Sequence, residues 1–163
     1  MPWLAFGVPS VDAKDERAGS ATRSDDPGRR ETNVSASHTI AIKRAYEPAT
    51  RDDGVRILVD RLWPRGLRKD VAKFDQWRKD VAPSTELRNF YGHRPELWPE
   101  FQRRYRGELR HREAAAAVRE LIALTHDRNV TLLTASSDLD ESGAAALAAH
   151  MRAIVARAAR SDG

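Results

Sequence analysis

Cysteine is absent from all 163 residues, and that absence removes disulfide staples, thiolate metal sites and a cysteine nucleophile together. It fits a reducing compartment. Long apolar runs are missing as well, since no segment approaches the roughly 20 residues needed to span a bilayer. The apolar stretch near the amino end, Trp3 to Val8, is shorter than a signal-peptide core and has no basic flank, while Arg29-Arg30 has no apolar run behind it. The expectation is a soluble, cytoplasmic protein with no export signal and no membrane contact. The chain also lacks GxGxxG and GxxxxGK[ST] loops, an HExxH motif, and any two histidines three or four apart. Nucleotide loops and histidine-rich metal centres therefore have no support, and neither metal nor cofactor is expected.

What is present is charge, unevenly spread. Residues 1–37 carry five basic and six acidic side chains, leaving 23 basic and 18 acidic residues for the rest of a chain whose net charge is +4. The remainder is mildly basic, which suits acidic ligands, with nucleic acid a less favoured partner. From Val8 to Ser37 aliphatic residues are scarce, so burial cannot offset the entropy of ordering; a disordered extension is expected over 1–37 and a single domain over 38–160.

Three segments have strand character: Thr39 to Lys43, Val55 to Asp60 and Val130 to Thr134. The second and third are apolar at consecutive positions, as in strands of a parallel sheet covered on both faces. Helical segments lie between them. Ser84 can cap a helix over 85–91 that Gly92 ends. Pro95 can open the next, whose apolar stripe is Leu97, Phe101, Tyr105 and Leu109 and whose other face carries Arg103, Arg106, Arg110 and His111. An alanine-rich helix follows over 112–126, and a last one over 142–159, with Asp138 and Glu141 forming a capping-box pattern ahead of it. The alternation predicts one α/β domain, a short, mainly parallel sheet flanked by helices.

Candidate chemistry gathers where strands end. Ile57-Leu58-Val59-Asp60-Arg61-Leu62-Trp63-Pro64-Arg65-Gly66 turns from buried strand to charged loop, delivering Asp60, Arg61 and Arg65 to the sheet edge where open α/β folds bind ligands. After the third strand, Ser136, Ser137 and Asp138 would offer hydroxyls and free N–H groups at a helix start, a setting that suits an anion.

That run, with Lys43-Arg44-Ala45-Tyr46-Glu47-Pro48, Trp77-Arg78-Lys79-Asp80-Val81-Ala82-Pro83-Ser84, Tyr91-Gly92-His93 and Phe101-Gln102-Arg103-Arg104-Tyr105, resembles the YeaO-like proteins, a bacterial family of unknown function. The resemblance covers about residues 40–155. It implies a compact α/β fold and no established reaction, and it adds Ser84, Arg88, His93 and Tyr105 to the residues expected to converge. Relatives usually carry a histidine or asparagine near the start of the last helix, where this chain has small residues, which favours binding over turnover. The strand ending in Val-Asp-Arg is also similar to rhodanese-like sheets, but their sulfur chemistry needs the missing cysteine.

The leading expectation is therefore an anionic or phosphorylated small molecule bound at the carboxyl edge of the sheet, with catalytic action on it left open. Arg61, Arg65 and Arg88 would clamp it, Ser84, Ser136, Ser137 and Asp138 would line the site, and Asp60 and His93 would be the base and proton-transfer candidates. The alternative is a nucleic-acid or protein interaction module using the basic helix face 103–112. Oligomeric state is not legible from these residues.

Overall fold

The structure is a computed structural model and describes residues 38–163. The expected disordered extension over 1–37 lies outside the described residues. Four strands, β1 (Ile40–Arg44), β2 (Val55–Leu58), β3 (Gln76–Trp77) and β4 (Val130–Thr134), form one sheet in the order β1-β4-β2-β3. Every pairing is parallel, with Ile40 opposite Val130, Val55 opposite Val130, and Ile57 opposite Gln76. Four α-helices accompany them: α1 (Thr85–Tyr91), α2 (Trp98–Glu108), α3 (Arg112–Leu124) and α4 (Gly143–Ser161).

The consecutive apolar residues of β2 and β4 are buried on both faces, as their pattern predicts. Side chains alternate along a strand, so Ile57, Val59, Val130 and Leu132 face one way and pack with Leu87, Phe101, Leu121 and Leu147 of the four helices. Leu58 and Leu133 face the other way. There the cover is not a helix but the irregular segment between β2 and β3, which contributes Leu67 and Phe74, with Trp77 beside them.

The α1 boundaries match the expected ones. Ser84 accepts the Leu87 N–H through its hydroxyl at 3.1 Å, and Gly92 ends the helix at φ 51°. Pro95–Leu97 forms a 3-10 turn that leads into α2, whose first turn takes Pro99 without losing an internal hydrogen bond. Phe101, Tyr105 and Leu109 are buried on the predicted stripe, and the Tyr105 hydroxyl donates to the Val81 carbonyl.

One expectation is corrected. The Asp138 carboxylate accepts from the Asp140 and Glu141 N–H groups at 3.0 and 3.2 Å, closing a local turn, and α4 begins only after Ser142, whose hydroxyl accepts the Ala145 N–H at 3.1 Å. The acidic pair imitated a cap because aspartate bonds nearby backbone equally well in a turn.

At the amino edge of the sheet a buried ionic hub secures the entry to β2. The Asp53 carboxylate accepts from Lys43, Arg56 and Thr50, and Arg56 also donates to the carbonyls of Lys73 at 2.5 Å and Glu47 at 2.9 Å. Gly54 follows at φ 62°, so close to the neighbouring chain that a Cβ there would lie 1.9 Å from the Asn129 carbonyl oxygen. Only glycine fits.

Candidate functional site

The segment after β2 crosses the face away from the helices to reach β3, whereas the segment after β4 turns onto the helical face as α4. Neighbouring strands whose continuations part in this way leave a crevice at their carboxyl ends. A cavity of about 360 Å³ occupies that position.

From the β2 exit the cavity receives Asp60, Arg61, Trp63 and Arg65; from α1 it receives Arg88 and Tyr91, with His93 just beyond; from the β4 exit it receives Thr134 and Ser136. Thus Asp60, Arg61, Arg65, Arg88, His93 and Ser136 meet around one concave space. Ser84, Ser137 and Asp138 do not line it. The Ser84 hydroxyl donates to the Glu108 carboxylate at 2.5 Å while capping α1, which fixes α1 against α2 and turns the serine away.

Asp60 is half-buried and both of its carboxylate oxygens are engaged. One accepts from the Thr134 hydroxyl at 2.8 Å and the other from the Ala135 N–H at 2.7 Å, while its carbonyl accepts from the Trp77 indole at 2.8 Å. Burial pushes its carboxyl above the usual range, against the pull of the Ala135 and Thr134 hydrogen bonds and the positive charge of Arg88 and His93. In this geometry Asp60 ties the exit of β2 to the exit of β4, and each of its oxygens keeps a further lone pair.

The guanidiniums are differently placed. Arg61 donates once, from Nε to the Pro83 carbonyl at 3.2 Å. No carboxylate lies within ion-pair distance of Arg61, Arg65 or Arg88 among the described residues. His93 is exposed and holds φ 56°, a left-handed conformation that side chains other than glycine seldom adopt. Its ring sits 5.7 Å from that of Tyr91, whose hydroxyl donates to the Glu141 carbonyl at 3.0 Å.

Glu141, Tyr91 and Trp63 line the cavity without having been singled out as site residues. Tyr91 lay in the quoted Tyr91-Gly92-His93 motif, so a signal existed; Glu141 was hidden by its apparent capping role. On α2, Arg103 and Arg104 are held by Glu100, Arg103 through bonds of 2.8 and 2.6 Å and Arg104 through one of 2.7 Å. The basic face is partly neutralised from within.

A family described as the inactive DUF488-N3 subclade matches residues 39–162. The chain belongs to that family. It is 48% identical over 109 residues to the uncharacterized protein Rv3073c of Mycobacterium tuberculosis, covering 67% of this chain and 90% of that protein. An uncharacterized protein of Mycobacterium bovis is similar to the same degree. Identity to the uncharacterized protein YeaO of Escherichia coli is 36% over 115 residues, covering 71% of this chain and 98% of that one, so the YeaO-like resemblance of the motif run is shown at full-domain length. No solved structure matches the chain. No helix among the described residues is long and apolar enough to cross a membrane, and no group of three or more potential metal ligands occurs among them.

Proposed function

We propose that this protein binds a small anionic molecule, of the phosphorylated-metabolite class, at the carboxyl edge of its sheet, as a cytoplasmic binding protein rather than an enzyme. The observation that carries the reading is the convergence of Arg61, Arg65 and Arg88 on one cavity with no carboxylate paired to any of them among the described residues. Guanidiniums gathered on one cavity without a directly paired carboxylate repel one another, and an anion held by paired hydrogen bonds relieves that repulsion. Each charge-assisted bond contributes about 1.5–3 kcal/mol, enough for three arginines to retain a small ligand.

Ser136 lines the space with its hydroxyl donating to the Asp138 carbonyl at 2.9 Å, and Trp63 offers an apolar wall to the body of the ligand. The strained His93 backbone supports the same reading, because such conformations persist where surrounding structure enforces them and cluster at ligand sites. The description of the family as an inactive subclade favours retention over turnover. Asp60 then acts by holding the two strand exits at the right separation.

A thermal-shift screen of phosphorylated metabolites and nucleotides tests the proposal. At least one should raise the midpoint, corresponding to about 2.7 kcal/mol at a hundredfold excess over Kd, and the shift should vanish in Arg61→Ala and in Arg88→Ala. An anion-independent midpoint in the wild type, or a shift that survives both substitutions, would sink the idea.

A further inference from the structure

We propose that the groove between α2, α3 and α4, which shares no lining residue with the strand-end cavity, is a docking site for an acidic amphipathic helix of a protein partner. The groove encloses about 460 Å³. Its α4 wall is Ala146, Ala149, His150, Ala153, Ile154 and Arg157, which recur every three or four positions. They form one stripe along three turns, roughly 16 Å of helix at 1.5 Å per residue. That is longer than a compact anion needs and matches the contact length of a short helical segment.

The floor is apolar and the rim is cationic. Leu109 and Val118 lie buried at the bottom, and Ala149, Ala153 and Ile154 reach solvent. Small alanine side chains let the backbone of another helix approach closely, with its larger apolar residues seated between them. Around this floor stand Arg106 from α2, Arg110 from the turn after it, Arg119 from α3 and Arg157 from α4, all exposed. No aspartate or glutamate lines the groove, and none of the four is ion-paired among the described residues. The contrast within α2 is informative, since Arg103 and Arg104, off the groove, are both ion-paired with Glu100. Arg106, the α2 arginine that faces the groove, is the one left without an ion pair among the described residues.

His150 records the same excess of positive charge. Burial first, then the guanidiniums of Arg110 and Arg106, holds its imidazole below the usual histidine range. An apolar floor between uncompensated arginines calls for a partner with an apolar stripe flanked by carboxylates. A phosphodiester backbone would satisfy the rim but leave the floor with nothing to bury, so a helix fits better than nucleic acid.

The experiment uses the full chain and a fluorescein-labelled helical peptide of leucine, alanine and glutamate, with leucine on one face. Controls are a scrambled peptide of identical composition and a peptide with lysine replacing glutamate. Polarisation at low salt should show binding of the acidic amphipathic peptide alone, weakening as salt rises. Affinity should fall by about tenfold or more in the double variant Arg106→Glu/Arg157→Glu. It should also fall in Ala149→Trp, which fills the exposed floor without altering charge, whereas Arg68→Glu, an exposed reversal elsewhere, should leave it unchanged. Retained circular dichroism and melting behaviour would establish that each variant is folded. Absence of binding, equal binding of the scrambled peptide, or indifference to Ala149→Trp would overturn the proposal. Tighter binding of duplex DNA than of the peptide, lost in the same double variant, would also overturn it and assign the arginines to nucleic acid.

Discussion

Asp53 and Asp60 are both carboxylates withdrawn from water next to a strand of the same sheet, yet their surroundings drive them in opposite directions. Burial raises each, but at Asp53 the hydrogen bonds from Lys43, Thr50 and Arg56 outweigh it and hold the carboxyl far below its ordinary value of 3.8. A depressed folded-state value stabilises the fold above pH 3.8 and withdraws that support as pH falls further. Asp53→Asn should therefore cost about 3–5 kcal/mol at neutral pH, by stranding Arg56 and Lys43, and should flatten the acid limb of urea midpoints measured against pH. At Asp60 burial prevails, so the sign reverses: its contribution is complete below 3.8 and declines as pH rises through the elevated folded value. Asp60→Asn should remove that decline. Asp60→Ala should be the more damaging change, about 1–3 kcal/mol, because it leaves the Ala135 N–H without an acceptor; the two variants separate in chemical denaturation at neutral pH. Asp60 was visible in the sequence as the charged end of a buried run. Its partner Thr134, 74 positions away, was not, since nothing local to either residue encodes which strand ends lie side by side.

Helix punctuation was the most readable layer, and it failed where two local solutions use the same residues. Ser84 and Gly92 bound α1 as expected because a hydroxyl before a helix and a left-handed glycine after it have few other uses there. Asp138 with Glu141 met the same rule and formed a turn instead, leaving the cap to Ser142. The distinction is measurable. Ser142→Ala should destabilise the protein by about 1 kcal/mol through the lost cap, while Asp138→Ala, whose bonds are exposed, should cost less; reversal of that order in thermal melts would restore Asp138 as the helix start. β3 escaped notice because two residues, Gln76 and Trp77, are too few to establish a period. The cover on the second face escaped for a related reason. Leu67 and Phe74 lie in an aperiodic segment, where their spacing announces no element to place them on.

At the scale of the molecule, the parallel sheet and its helices were legible from alternating segments, but strand order was not, and the candidate site depends on that order. With β4 between β1 and β2, residues 60–65 and 134–136 face each other across one crevice; any other neighbour for β2 would have scattered them. The same arrangement has a consequence for how the protein comes into being. β1 and β2 share no backbone ladder and are joined only through β4, which is made after α3. A growing chain therefore holds β1 without a strand partner and β2 paired only with the two-residue β3, with the place between them reserved for a strand not yet translated. Ribosome-bound chains that end before Val130 should remain open to protease. Protection should arrive in one step once Val130 to Thr134 has emerged, so that this fold is closed from its centre and late.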